Sequence, residues 1–304
     1  MLFYLVQRLG ETLVTLILVT ILVFGLSRLS GDPTYLLLPP EAGQAEIEAF
    51  RRAYGLDRTY VEQYVIFLRN VVEGNFGESF QHRQPALDVA LTALGPTLKL
   101  AGVGMLLSAL IGLPLGIAAT AARSEWPRRF VSWYSSLGQA LPPFWSGLTL
   151  IMLFALWLPL FPTSGYGSPI YYVLPATTLA ISTSAAIAGL TQANMQEAMR
   201  SDFVQLERIL GLSERRILIK HALRNASLPI ITYFGLQFGL ILGGAIVTER
   251  VFAWPGLGQT IVDAILTRDY PIVQAGVLVT ALLFMLINLL VDLVCIVLDP
   301  RVRR

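Results

Sequence analysis

"FVSWYSSLGQALPPFWSGLTLIMLFALWLPLFPTSGYGSPIYYVLPATTLAISTSAAIAGLTQANMQ", residues 130–196, runs for 67 residues without one Asp, Glu, Lys, Arg or His. Crossing the hydrocarbon core of a bilayer takes about 20 apolar helical residues, so a stretch this long holds two crossings and a turn. "LPLFPTSGYGSP" (158–169) supplies the turn through Pro159, Pro162, Gly165, Gly167 and Pro169, residue types that interrupt a helix. Outward from there, residues 12–27, 100–122, 225–248 and 270–291 are equally free of ionisable side chains. The expectation is an all-α integral membrane protein with six transmembrane helices. Composition agrees: the 304 residues are 55% hydrophobic and 14% charged with a mean hydropathy of +0.64, where a soluble domain carries about 25% charged residues.

The first apolar run follows Arg8 and exceeds a usual signal-peptide core, and no small-x-small cleavage site comes before "RLSGDP" (28–33), so it reads as a retained helix. Cys295 is the single cysteine and sits in the last run, which leaves no disulfide framework and no cysteine metal cluster. With six spans both termini share one side with loops 123–130 and 195–228. That side carries thirteen basic residues, among them Arg123, Arg128, Arg129, Arg200, Arg208, Arg215, Arg216, Lys220 and Arg224, against seven in the loops opposite. The positive-inside rule then places that side, with both termini, in the cytoplasm. The chain divides into an N-terminal transmembrane helix (1–30), an extracytoplasmic helical segment (31–96), and a core of five transmembrane helices (97–304) that contains the cytoplasmic loop 195–228.

Segment 30–96 reads as two short amphipathic helices, with Ile47, Phe50 and Tyr54 on one face of the first and Val61, Tyr64, Leu68 and Val72 on one face of the second. Two readings stand: a cap folded on the chain's own membrane helices, or a dock for an extracytoplasmic partner. Gly112 and Gly116, then Gly235, Gly239 and Gly243, recur every four residues, a spacing that lets helix backbones approach closely, within the chain or between subunits. Pro114, Pro142, Pro143 and Pro175 are expected to kink or unwind helices, as happens where a polar path is lined.

Intrinsic energy conversion is hard to find. A phosphate-cradling G-x-x-x-x-G-K-[ST] loop needs a lysine, and the only two, Lys99 in "GPTLKLAG" and Lys220 in "ILIKHALR", follow no such loop. His82 and His221 fall on opposite sides of the membrane, which leaves no two-histidine metal site. Asp292, four residues after Asn288, is the clear intramembrane carboxylate; a hydrogen-bonded structural role is set against a proton site in an ion-coupled carrier acting alone. Glu11 and Glu249 are expected to pair with neighbouring arginines such as Arg8 and Arg250.

With no motor inside, the polar island "SDFVQLERILGLSERRILIKHALRN" (201–225) is the surface available to receive force. Phe203, Leu206, Ile209 and Leu210 form an apolar stripe, Gly211 has the position of a helix C-cap, and Ser213 with Glu214 opens the next helix. Such a helix can enter a partner's groove, with flanking arginines such as Arg208 fixing its orientation. A basic loop attracted to anionic lipid explains the same pattern.

Several stretches, in order, carry a resemblance that runs essentially end to end: "LSGDP", "YGLDRTYVEQY", "GNFGESF", "GLSERRILIKHALRNASLPIIT", "VFAWPGLGQTIVDAILTRDYPIVQ" and "NLLVDLVCIVLDPRVR". The chain resembles the B-type permease of the dipeptide, oligopeptide and nickel family of ABC importers. The resemblance implies a type I importer permease fold, a heterodimer with a second homologous permease, two cytoplasmic ATPase subunits that hold the ATP and magnesium, and an extracytoplasmic binding protein. It implies no catalytic site, no cofactor or metal bound by this chain, and no nucleic-acid partner. Its location would be the inner membrane. The island is then similar to the family's coupling loop, with Phe203, Leu206, Arg208, Gly211, Leu212, Ser213 and His221 as coupling residues. Departures are "QLE" (205–207) in place of the usual triplet before Gly211, and Pro229 lying later than the family's proline. In the last loop Phe252, Trp254, Pro255 and Gly256 read either as a membrane-surface anchor or as a gate or binding-protein contact. The implied cargo is a di- or oligopeptide, with nickel and glutathione as alternatives.

Overall fold

Helices account for each apolar run. The computed structural model describes residues 2–29, 38, 43–53 and 55–298; Tyr54, most of "LSGDP", the C-terminal arginines, and the side chains of Phe50 and Gly243 lie outside the described residues. In chain order the helices are α1 (Leu2–Leu29), α2 (Gln44–Ala53), α3 (Tyr60–Val72), α4 (Ala86–Ala121), α5 (Trp126–Ala140) and α6 (Pro143–Ile151), the last continued by a π turn. They are followed by α7 (Val173–Met199), α8 (Asp202–Ile209), α9 (Glu214–Arg216), a second π turn (Ile217–Ala222), α10 (Leu223–Val251), α11 (Leu257–Leu266) and α12 (Tyr270–Leu298). Among the described residues four helices are long and apolar enough to cross a membrane, and up to six spans result if each bent pair counts as one.

The sharper of the two bends, 99° between α5 and the segment from Pro143 to Trp157, has a local cause. Leu141 and Pro142 each precede a proline, a position that disfavours helical geometry, and both are extended, with ψ of 121° and 138°. The other prolines behave differently from the expectation. Pro114 lies inside α4, which is one helix from Ala86 to Ala121. Pro175 is the third residue of α7, which follows directly on a 3₁₀ turn at Pro169–Tyr172, and the helix runs on through it.

Two compact units arise, Leu2–Gly95 with Gly256–Leu283, and Pro96–Pro255 with Phe284–Arg304. In the first, Ala86, Ala90 and Ala93 of α4 pack with Leu257, Ile261 and Ala264 of α11 and with Ile272 and Ala275 of α12. Helix α3 starts with a capping box: Thr59 accepts from the Glu62 amide while the Glu62 carboxylate accepts from the Thr59 amide. The Thr59 hydroxyl, which donates to the same carboxylate at 2.9 Å, and then the Thr59 amide hold the Glu62 carboxyl below its ordinary pKa. The face that α3 packs is rotated from the expected one. Val61 and Val72 are exposed, whereas Gln63 is buried and Tyr64 and Phe67 meet Phe24 of α1 with ring centroids 5.4 and 5.7 Å apart. Two contacts set this rotation: the Gln63 amide donates to the carbonyls of Leu56 and Arg58, and the Tyr64 hydroxyl bonds Thr20 at 2.9 Å. In this unit the cap therefore folds on its own membrane helix. Asp269 ties a further loop down by accepting from the Ser79 hydroxyl and the Gln81 amide.

In the second unit α7 is the central helix, buried along most of its length. Small residues let its neighbours close on it. A Cβ at Gly112 would stand 2.7 Å from the Ser184 carbonyl oxygen, and one at Gly116 would stand 2.6 Å from Thr191, so α4 and α7 touch backbone to backbone. On α10, Gly235 faces Val291 and Gly239 faces Phe284 of α12. The glycine spacing thus serves packing within the chain at these four positions. Helix α5 joins through Val131, against Ala119 and Ala188, and through the Tyr134 hydroxyl, 2.6 Å from Ser184 Oγ.

Candidate functional site

The polar island forms a short helix slung between two membrane helices of the second unit. Helix α7 ends at Met199, Arg200 caps it, and Ser201 adopts the extended geometry of an N-cap before α8. Asp202 in the first turn of α8 complements the helix dipole. At the other end Gly211 has φ +80°, its amide donates to Arg208 O, and the Leu212 amide donates to Glu207 O at 3.1 Å. That pair of bonds is a Schellman motif, which places a glycine in left-handed geometry and reverses the chain. Ser213 is extended as an N-cap, but its side chain makes no capping bond. Instead Glu214 grips Arg208 across the turn, at 2.7 and 3.2 Å, and this bond raises the Arg208 pKa above its ordinary value.

Two side chains bind α8 to the rest of the unit. Val204 is fully buried. Glu207 Oε1 stands 2.7 Å from His221 Nδ1, an ion-pair contact when the imidazole is protonated, with the two side chains 16% and 28% exposed. His221 therefore points inward at α8, not outward at a partner. It belongs to the π turn that opens α10, and π turns are frequent at functional sites. The same helical start packs Leu218, Ala222, Ala226 and Ile230 against Met195 of α7. What α8 leaves outward is apolar: Phe203, Leu206, Ile209 and Leu210 are 37%, 57%, 82% and 68% exposed, and Leu212 is half-buried. Sequence reasoning found this stripe and the glycine turn. It missed Glu207, the last residue of "QLE", whose role depends on a histidine fourteen positions further on.

The loop after α10 is a different kind of place. Trp254 and Phe252 are buried. Trp254 donates to the Pro96 carbonyl at 3.1 Å and stands edge-on to Tyr166 and Tyr172, at 4.9 and 4.6 Å between centroids. The residues that made it look like an interfacial aromatic are real, but the two tyrosines cover its ring. Of the four residues singled out there, Pro255 alone is exposed. Glu249, one turn earlier, is fully buried and accepts from the Thr97 hydroxyl at 2.6 Å, which makes it a more deeply placed carboxylate than Asp292. Asn288 and Asp292 are half-buried on α12, Asn288 between the two residues that face Gly235 and Gly239. Arg8 pairs with Glu11 at 3.0 Å. Among the described residues no group of three or more His, Cys, Asp or Glu converges as a metal site would require.

Two family models together span almost the whole chain: residues 112–304 match the binding-protein-dependent transport system inner membrane component, and residues 1–101 match that family's N-terminal membrane region. The chain belongs to this family. It is a permease subunit of an ABC importer, a multi-span helical protein of the inner membrane. Similar curated proteins include the glutathione transport system permease protein GsiC of Escherichia coli (strain K12) and of Shigella dysenteriae serotype 1. Each is 39% identical over 304 residues, which is 100% of this chain and 99% of the relative. Among solved structures, an inward-facing MetNI methionine ABC transporter shares the fold with a TM-score of 0.56 at 16% identity, over 69% of this permease and 96% of that chain. An amino acid ABC transporter with histidines does so with a TM-score of 0.51 at 19% identity, over 70% and 94%. The type I importer permease fold is therefore established. The permease family also fits what α8 looks like: a helix held firmly on one side and presented on the other.

Proposed function

We propose that this permease forms, with a second homologous permease, the membrane path of an importer for short peptides of the glutathione kind. An extracytoplasmic binding protein supplies the cargo, and two cytoplasmic ATPase subunits, which hold the ATP and magnesium, supply the work. The observation that carries the cargo reading is 39% identity along the full chain to permeases named for glutathione transport. In this reading the basic face and both termini lie in the cytoplasm, and α8 is the coupling helix. Phe203, Leu206, Ile209 and Leu210 enter a groove on an ATPase subunit, the helix-in-groove mode of recognition. When the motor pair closes, α8 moves with it. Val204 and the Glu207–His221 contact pass that displacement to α10, and the path changes the side it faces.

The test is reconstitution of both permeases, both ATPase subunits and the binding protein in liposomes. Labelled glutathione, a dipeptide and nickel are offered in turn. ATP-dependent uptake of glutathione or the dipeptide is expected, and nickel uptake alone would reassign the cargo. Leu206→Asp with Ile209→Asp, both at exposed positions, should abolish uptake and cargo-stimulated ATP hydrolysis while membrane insertion is unchanged. Full transport by that variant rejects the coupling role, and accumulation by this chain alone rejects the importer reading in favour of an ion-coupled carrier.

A further inference from the structure

Beside the coupling helix the second unit holds a cavity of about 610 Å³, of whose charged lining only Arg208 also belongs to the coupling segment's named residues. It lies where α4 and α7 end, and its charged lining comes from stretches far apart in sequence: Arg123 and Arg128, then Arg200, then Arg208, Glu214 and Arg215. Five arginines, all of them exposed, line this one concavity with a single carboxylate among them. That carboxylate is committed, because Glu214 is spent on Arg208 in a two-pronged bond. Arg128 donates to the Ala122 carbonyl, which leaves its charge uncompensated. The guanidinium groups of Arg123, Arg200 and Arg215 have no hydrogen-bond or ion-pair partner among the described residues.

Arginines scattered on a cytoplasmic face satisfy topology and spread into water at little cost. These five also reach water, but they share one concavity, where like charges repel one another unless an anion joins them. Guanidinium is the side chain best matched to phosphate, since its planar fork donates two parallel bonds to two phosphate oxygens. The volume falls in the range of about 300–1,000 Å³ usual for small-molecule sites, with room for a phosphodiester and its flanking groups. We propose that this cavity is a binding site for a phosphate-bearing anion, either the headgroup of an anionic phospholipid in the adjoining leaflet or a soluble phosphate compound. Bound there, the anion joins the ends of α4 and α7 to Arg208 and Arg215, and so steadies the coupling segment.

The experiment uses the purified full-length permease. Inorganic pyrophosphate, titrated into the protein in neutral detergent, probes the soluble source. Nanodiscs of phosphatidylcholine with and without phosphatidylglycerol, followed by native mass spectrometry of retained lipid, probe the membrane source. R123Q with R200Q removes two unpartnered charges without altering a packed residue, and R215Q alone gives a second readout. R129Q with R224Q removes the same charge from the same face outside the cavity. Wild type should bind one of the two probes, and the cavity variants should bind it roughly tenfold or more weakly, while the control pair stays near wild type. Binding should also weaken as salt rises. Equal loss in the cavity and control variants, or no binding of either probe, overturns the proposal. So does protection of Arg123 and Arg200 from an arginine-modifying reagent only when ATPase subunits are present, which would assign the cavity to an acidic protein partner.

Discussion

Ala253 sits at φ +47°, in the left-handed region that a non-glycine residue enters at a cost of roughly 1–2 kcal/mol. Its surroundings explain why it stays there. The Trp254 amide donates to Glu249 O at 2.8 Å and the Ala253 amide to Arg250 O, which is the Schellman geometry at the end of α10 with alanine in the glycine position. Arg268 repeats the device at the end of α11, with φ +54° and the Asp269 amide donating to Ala264 O. Ala253→Gly should remove the strain and give back part of the gain, about 0.4–1 kcal/mol, as freedom of the unfolded chain. The expected net effect is a small stabilisation, on the order of 0.5–1 kcal/mol, seen as a higher unfolding temperature of the detergent-solubilised protein. A lower temperature would mean that the Ala253 methyl group contributes packing not apparent from its exposed position.

At the scale of elements, the apolar runs were legible because lipid imposes a length and a composition on each span, and the α8 stripe was legible because a helical period needs only local residues. Other features were not, for a common reason. Trp254 is buried by Tyr166 and Tyr172, about eighty positions earlier, and no local pattern connects them. The inner face of α3 was misjudged because a hydrophobic count favours Val61 and Val72 over Gln63, whereas the carbonyls of Leu56 and Arg58 bind the Gln63 amide. Glu207 was overlooked because its meaning lies in His221. That contact supports a prediction for the coupling helix as an element. His221→Ala leaves Glu207, with a side chain 16% exposed, without its partner, a loss of about 1–3 kcal/mol for a buried polar group. The effect expected in the reconstituted importer is uncoupling, so uptake falls several-fold while ATP hydrolysis falls less. Glu207→Gln should do the same, and the double variant should be no worse than either single one, because residues sharing one contact are not additive. Additive losses would indicate two independent roles.

For the whole molecule, the charge distribution makes a claim about topology that the helices do not make by themselves. Length and composition admit four to six crossings, and an even or odd count before a given loop decides which side it meets. The proposed topology follows the basic residues: Arg123, Arg128 and Arg129, and the group from Arg200 to Arg224, flank spans on one common side only if the bent pair α5–α6 crosses once together with its π turn. In the proposed orientation, segments 43–53, 55–80 and 252–269 face the opposite side. The chain lends itself to a direct test because Cys295 is its single cysteine. With Cys295→Ser as background, single cysteines at the exposed positions Ser213, Glu125, Gln81 and Pro255 can be labelled in intact spheroplasts with a membrane-impermeant maleimide. Gln81→Cys and Pro255→Cys should react before lysis, Ser213→Cys and Glu125→Cys only after it. If Glu125→Cys reacted from outside while Ser213→Cys did not, α5 and α6 would have to be a re-entrant pair that returns to the side it came from, and the path through the permease would have one crossing fewer than its charge pattern demands.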